Sequence, residues 1–205
     1  MNVLVTAGAT REPIDAVRFV SNISTGATGA ALADALQNRG HRVALLRGEG
    51  AVAPRDVADR EGFGSAEDLR ARLRRRLASG AWDVVIMVAA VADYRPVGTG
   101  EGKTDSTAPE RTLQLVRNAK ILPELKGFSR RPVRVVGFKL TVGAGEAARQ
   151  AAVEALFAAG GVDEVVQNDL DEIRRDAVHS FRYYRARGAA PLACAGVEAL
   201  ADAII

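Results

Sequence analysis

Residues 2–15, NVLVTAGATREPID, decide the fold: a run of buried-strand type, Asn2 to Thr6, empties into a glycine-bearing loop. The next helix-length segment, residues 26–39, opens only at Ser24-Thr25-Gly26-Ala27-Thr28-Gly29 and is rich in small residues. Strand, long excursion, helix is the opening of an α/β unit, and ligands in open parallel sheets bind outside the carboxyl ends of the strands. The hydroxyls and glycines at residues 24–29 leave backbone N–H groups free at a helix N-terminus, an anion site. The dinucleotide fingerprint G-x-G-x-x-G is absent. The excursion between strand and helix carries Arg18 and Asn22, polar residues that a mere connection does not need.

Downstream, short apolar runs alternate with helix-length segments, the pattern of a mainly parallel sheet with helices on both faces. Strands are predicted at residues 42–46, 83–89, 112–116, 133–138 and 163–167, with an edge strand at 178–184. Helices are predicted at 65–79, 145–159 and 196–205, the first opened by the capping box Ser65-Ala66-Glu67-Asp68. The loop at residues 90–109, with Gly98, Gly100 and Gly102, is long for such a connection, and loops of that length are usually functional. The fold class is therefore α/β, Rossmann-like, with an added antiparallel edge strand or hairpin. The 205 residues read as one domain.

Composition narrows the functions. The longest apolar run, residues 84–92, is less than half of the ~20 residues that a spanning helix needs. With no basic, apolar leader at the start, the protein is expected to be cytoplasmic, without a membrane partner. One cysteine, Cys194, in the apolar stretch Leu192-Ala193-Cys194-Ala195, excludes an internal disulfide and a cysteine metal cluster. His41 and His179 have no ligand at metal-site spacing and are expected in or beside strands, with no catalytic role. A net charge of +3 is too small to argue for nucleic acid and suits phosphorylated ligands. Arg70, Arg72, Arg74, Arg75 and Arg76 spread around a helix rather than forming one stripe, so a solvated face is expected instead of an RNA surface.

The block TAGATREPIDAVRFVSNISTGATGAALADAL (6–36) resembles the start of the phosphopantothenoylcysteine synthetase family, also called phosphopantothenate–cysteine ligase. VAAVADYRP (88–96), GEGKTDS (100–106) leading into LQLVRNAKIL (113–122), VGFK (136–139) and QNDL (167–170) follow in the family's order. The resemblance implies amide formation between 4′-phosphopantothenate and cysteine through an acyl-nucleotide intermediate. Pyrophosphate and CMP or AMP leave, in the amide-forming step of coenzyme A synthesis. It implies CTP or ATP as co-substrate, Mg²⁺ with the triphosphate, and a homodimer to which residues 112–116 contribute. Such chemistry builds charge on phosphate or on a tetrahedral oxyanion, so preorganised donors matter and an enzyme nucleophile does not.

By resemblance, Asn22, Arg18 and Lys103 are the catalytic candidates, with Lys103 on a mobile loop that closes over the triphosphate. Gly8, Ala9, Thr10, Ser24, Gly26, Gly29, Ala89, Ala90, Asp93, Phe138, Lys139 and Asn168 fall on the nucleotide-binding motifs. Three departures stand out. Ala9 replaces a frequent glycine, Ala27-Thr28 a lysine-methionine pair, and Thr104-Asp105-Ser106 after Lys103 fits neither usual loop. Because the chain starts at the ligase strand, a stand-alone form without the flavin-dependent decarboxylase domain, or the ligase half of a longer protein, is expected. Two other readings remain open: a degenerate nucleotide-binding paralogue, and an NADP-dependent oxidoreductase with Arg47 at a 2′-phosphate. Against the latter, no lysine stands four positions after Tyr94, Tyr183 or Tyr184.

Overall fold

Val3 and Val5 point to one side of their strand and Leu4 to the other, and all three are fully buried. A strand with two greasy faces must lie inside a sheet covered on both sides. The computed structural model, which describes residues 1–205 apart from 101, 106, 108 and 177, shows this arrangement. In chain order the elements are β1 (Asn2–Ala7), β2 (Arg11–Pro13), β3 (Phe19–Ser21), α1 (Ala27–Asn38), β4 (Arg42–Gly48), β5 (Asp59–Phe63), α2 (Ala66–Leu77) and β6 (Val84–Met87). Then come β7 (Tyr94–Pro96), β8 (Leu115–Arg117), a 3₁₀ turn (Leu122–Glu124), α3 (Leu125–Phe128), β9 (Arg134–Thr141) and α4 (Glu146–Ala158). The chain ends with β10 (Glu164–Asp169), α5 (Leu170–Arg175), β11 (Ser180–Tyr184), β12 (Leu192–Ala195) and α6 (Gly196–Ile204).

Eight strands form one sheet in the order β12-β11-β10-β9-β6-β1-β4-β5. From β5 to β10 neighbours run parallel, and β11 and β12 add antiparallel at one edge. Leu32 and Leu36 of α1 and Leu200 and Ile204 of α6 bury Val3, Val5, Val84 and Ile86. On the opposite face Leu69, Leu73 and Leu77 of α2, one stripe at four-residue spacing, cover Leu4, Val85 and Val135. Each such side chain contributes about 1.5–3 kcal/mol when fully buried, so the two faces account for most of the driving force.

The α/β class and the antiparallel hairpin agree with the sequence reading, and four local readings need correction. Residues 178–184 do not form the edge, because β12 pairs outside β11. The stretch 112–116 contributes only to β8, a three-residue exposed strand paired with β7 apart from the main sheet. The opposite edge strand, β5, was not anticipated: DREGF has no apolar alternation. The arginine face of α2 is only partly solvated: Arg74 and Arg75 are exposed, yet the guanidinium groups are engaged by neighbouring elements. Arg72, Arg75 and Arg76 all bind Glu61, Arg76 binds Asp59 at 2.9 Å, Arg70 binds Glu124 at 2.7 Å, and Arg74 lies over the Phe128 ring. α2 is thereby tied to β5 and α3. Among the described residues no helix is long and apolar enough to cross a membrane.

Candidate functional site

The chain goes from β1 through α1 to β4 on one side and returns at β6 on the other, so the strand order switches direction between β1 and β6. Outside the carboxyl ends of such a pair two loops diverge and leave a crevice. Here they first zip together: Ala90 N–H donates to Gly8 O (2.8 Å), Thr10 N–H to Ala90 O (3.2 Å), and Ala92 N–H to the Thr10 hydroxyl (3.0 Å). Beyond this seam the loops open into a cleft with two lobes, sharing Ile23, Ala89, Ala90, Phe138 and Leu140 as common lining.

The first lobe is a cavity of about 530 Å³ lined by Asn22, Ala89, Ala90, Asp93, Asn118, Lys120, Phe138 and Lys139, among others. Asn22 donates its amide to Val91 O at 3.2 Å. Asp93 is paired with the ammonium of Lys120, while Asn118 donates to the carbonyls of Ala92 and Asp93 at 2.9 and 2.8 Å. Asp93 is the one carboxylate among the residues lining the cleft.

The second lobe, about 410 Å³, is lined by Gly8, residues 23–29, Val88, Asn168, Leu170, Ile173, Arg174 and His179, with the shared residues above. α1 starts here with Gly26 as N-cap at φ 77°, a left-handed conformation that L side chains rarely adopt; the glycine brings no capping side chain, and the Thr25 hydroxyl accepts from the Ala27 N–H at 3.3 Å. The helix can enter so close to the sheet because Gly29 has no Cβ; one built there would lie 2.6 Å from Ala7 Cβ and 3.0 Å from Thr6 O. Across the lobe the Asn168 amide meets His179 Nε2 at 2.9 Å, and the imidazole stacks on Phe181 at 4.1 Å between centroids. Burial lowers the His179 pKa below its ordinary 6.5, so the ring is neutral at physiological pH. Next along the chain, buried Asp169 accepts from the Thr141 hydroxyl at 2.6 Å and from the N–H groups of Gly143, Ala144 and Asp171.

Of the fifteen site residues read from the sequence, eleven line the cleft: Asn22, Gly8, Ser24, Gly26, Gly29, Ala89, Ala90, Asp93, Phe138, Lys139 and Asn168. Ala9 and Thr10 are buried under it as part of the seam. Arg18 and Lys103 lie outside the lining. Arg18 binds Asp15 at 2.6 Å and Thr104 O at 3.3 Å, and the N–H groups of Ala16 and Gly100 donate to Gly102 O and Ile14 O. The loop that bears Lys103 is thus docked on the β2–β3 turn; Glu101 and Ser106 of its motif lie outside the described residues. The buried Asp15 carboxylate closes this clasp, and the Val17 N–H, then Thr104 and Arg18, hold it well below the usual carboxylate range. Lys120, Asn118, His179 and Arg174 are cleft residues that the sequence reading missed. The first two sit in the quoted LQLVRNAKIL, but no spacing rule says which side of that loop faces the cleft. Arg47 donates to Ala51 O, which commits its guanidinium to the β4 turn.

Known proteins share this architecture. The coenzyme A biosynthesis bifunctional protein CoaBC of Thermococcus kodakarensis is 35% identical over 168 residues, 82% of this chain and 41% of that protein. The chain spans less than half the length of the curated relatives it matches. The crystal structure of the C-terminal domain of a coenzyme A biosynthesis bifunctional protein CoaBC aligns with a TM-score of 0.75 at 27% identity, over 99% of this chain and 91% of that one. The DNA/pantothenate metabolism flavoprotein of Streptococcus pneumoniae has the same fold, with a TM-score of 0.87 at 24% identity over 100% and 96% of the two chains. Residues 1–188 match the family of the DNA/pantothenate metabolism flavoprotein C-terminal domain, and the chain belongs to that family.

Proposed function

We propose that this chain is a ligase that joins 4′-phosphopantothenate to cysteine at the expense of CTP or ATP. The observation that carries the reading is one cleft that holds the N-terminus of α1, the Ala89-Ala90 backbone and the Asn22 amide together. The family and its coenzyme A relatives supply the substrate class.

In the first step a carboxylate oxygen of 4′-phosphopantothenate bonds to the α-phosphorus of the nucleotide and pyrophosphate departs. In the second, the cysteine amine attacks the acyl carbon, a proton is lost, and the nucleoside monophosphate leaves. Negative charge grows on phosphate oxygens in the first step and on the acyl oxygen in the second. The free N–H groups at the start of α1 suit phosphate oxygens, being oriented donors at the positive end of the helix dipole. Asn22, anchored on Val91 O, offers a fixed amide beside the lobe where the acyl group would lie. Phe138, seated edge-on against Phe181 (6.4 Å between centroids, 76°), is a rigid apolar wall for the base.

Mg²⁺ would enter with the triphosphate and neutralise part of its charge. Among the described residues no cluster of three metal-ligating side chains occurs, and Asp93 is the one carboxylate in the cleft. That fits an ion held mostly by phosphates and water. Lys103, on its docked loop, is proposed to swing over the triphosphate. The assay is pyrophosphate release with Mg²⁺, 4′-phosphopantothenate and cysteine, run with CTP and ATP in parallel. Release that depends on 4′-phosphopantothenate is expected, and the faster nucleotide identifies the co-substrate. Folded protein that releases pyrophosphate with neither nucleotide overturns the reading.

A further inference from the structure

The lobe at the start of α1 carries one permanently charged side chain, the guanidinium of Arg174, and no carboxylate. α5 follows β10 without a connecting loop, and its residues Leu170, Ile173 and Arg174 line the lobe. Positions i, i+3 and i+4 share one helix face, so Arg174 belongs to the face turned toward the cavity. The neighbouring Arg175 is bound to Asp176 at 2.8 Å. Arg174, in contrast, forms no ion pair among the described residues, so its charge is not committed to a neighbouring carboxylate.

The short helix that bears it is well anchored. Asp169 caps it through the Asp171 N–H at 3.0 Å, and Glu172 is held by Arg149 at 2.7 Å and by Arg182 at 2.9 Å. A second feature of the lobe also lacks a protein partner. Asn168 is more than nine-tenths buried and lines the lobe; its amide nitrogen meets His179 Nε2 at 2.9 Å, which leaves its second N–H as the donor it can offer an anion. The guanidinium of Arg174, the second N–H of the Asn168 amide and the N-terminus of α1, on the walls of one lobe, form a receptor for an anion.

We propose that Arg174 is a substrate-binding residue that takes a phosphoryl group of a bound substrate, opposite the N-terminus of α1. The proposal rests on the ligase reading for the identity of the substrate and on the lobe itself for the chemistry. It also answers the charge deficit of the helix start, where Ala27-Thr28 supply no cation: α5 provides it from the other wall. Two sources share this chemistry, the polyphosphate of the nucleotide and the phosphomonoester of 4′-phosphopantothenate.

The test is equilibrium binding to the full chain of Mg·CTP, Mg·ATP, inorganic tripolyphosphate and 4′-phosphopantothenate, for wild type, Arg174→Gln, Arg174→Lys and Arg175→Gln. Arg174→Gln is expected to weaken the phosphate-bearing ligand about 10- to 100-fold, as for loss of a hydrogen bond to a charged group. Arg174→Lys should recover part of the loss, and the wild-type advantage should shrink as salt screens it. Arg175→Gln should bind as wild type. Loss of nucleotide and tripolyphosphate affinity assigns the polyphosphate, and loss of 4′-phosphopantothenate affinity alone assigns the phosphomonoester. Unchanged affinity for all four ligands in Arg174→Gln, with wild-type binding intact, overturns the proposal and leaves the ligase reading standing. If wild type binds tripolyphosphate through Arg174 yet neither nucleotide, the anion receptor stands and the ligase reading falls. If wild type binds none of the four, both fall.

Discussion

Asn22 and Asp169 show what single side chains do at this cleft. The Asn22 amide is tethered to Val91 O at 3.2 Å, which leaves its oxygen and its second N–H for a ligand. Replacing Asn22 by Ala should slow formation of the amide product about 100-fold, the cost of one preorganised donor to developing charge. The melting temperature should stay within about a degree of wild type, because Asn22 is an exposed side chain and such substitutions change stability little. An equal loss in activity and stability would make Asn22 an ordering residue instead. Asp169 works from underneath. The Thr141 hydroxyl, then the N–H groups of Ala144, Gly143 and Asp171, hold its carboxyl far below the ordinary 3.8. A group that ionises more readily folded than unfolded stabilises fully above the unfolded pKa, and that stabilisation is lost as pH falls through the folded one. Thermal melts should therefore show stability falling from about pH 5 downward. Asp169→Asn should melt lower at neutral pH and show a shallower acid slope. An unchanged slope would mean that other carboxylates set the acid limit.

At the scale of elements, the seating of α1 on β1 and the clamp between α2 and β5 each make a prediction with a definite sign. An alanine for a glycine inside a helix ordinarily stabilises it by about 1 kcal/mol. Gly29→Ala should do the reverse, because its Cβ would fall 2.6 Å from that of Ala7. Overpacking of this kind costs about 1–3 kcal/mol, a clear drop in midpoint on urea titration. A rise in stability would show that α1 is not pressed against β1 there. Glu61, half-buried on β5, gathers Arg72, Arg75 and Arg76. Glu61→Gln leaves three guanidinium groups around a neutral amide and should cost about 1–2 kcal/mol at low salt, more than an exposed pair and less than a fully buried one. The deficit should narrow near 1 M salt, where the screening length is about 3 Å. A deficit independent of salt would point to packing rather than charge. β5 also shows why edge strands are hard to read: Asp59, Arg60 and Glu61 satisfy the sheet through the backbone and α2 through their charges, with no apolar alternation to betray them.

Across the whole molecule, the two small hairpins, β2–β3 and β7–β8, pack together through β2 and β7 and leave Val17, Phe19, Tyr94, Leu115 and Val116 each 40–59% exposed. Large apolar side chains gathered on a surface mark an interaction site. A second copy of the chain is the proposed occupant. Light scattering at micromolar concentration should give twice the 21.6 kDa of one chain, and Leu115→Glu with Val116→Glu should halve it without lowering the melting temperature. A wild-type mass of one chain would refute the dimer.

Taken alone, the amino-acid order determined the parallel core strands, the three long helices, the helix start at residues 24–29 and the motif positions of the cleft residues. Those features are local: apolar period, glycine, capping chemistry and motif order are written along the chain. It also carried the expectation of an antiparallel addition at the sheet edge. Only the tertiary structure decided that β12 lies outside β11, that Ala9 and Thr10 are walled into the seam, and that Arg18 clasps the Lys103 loop through Asp15. Each of these depends on pairing between distant segments, which local pattern does not encode. The same is true of Lys120, His179 and Arg174, drawn to one cleft from a loop, a strand start and a short helix. Their neighbours in sequence say nothing of the crevice between β1 and β6, because that crevice exists only once the strand order reverses there.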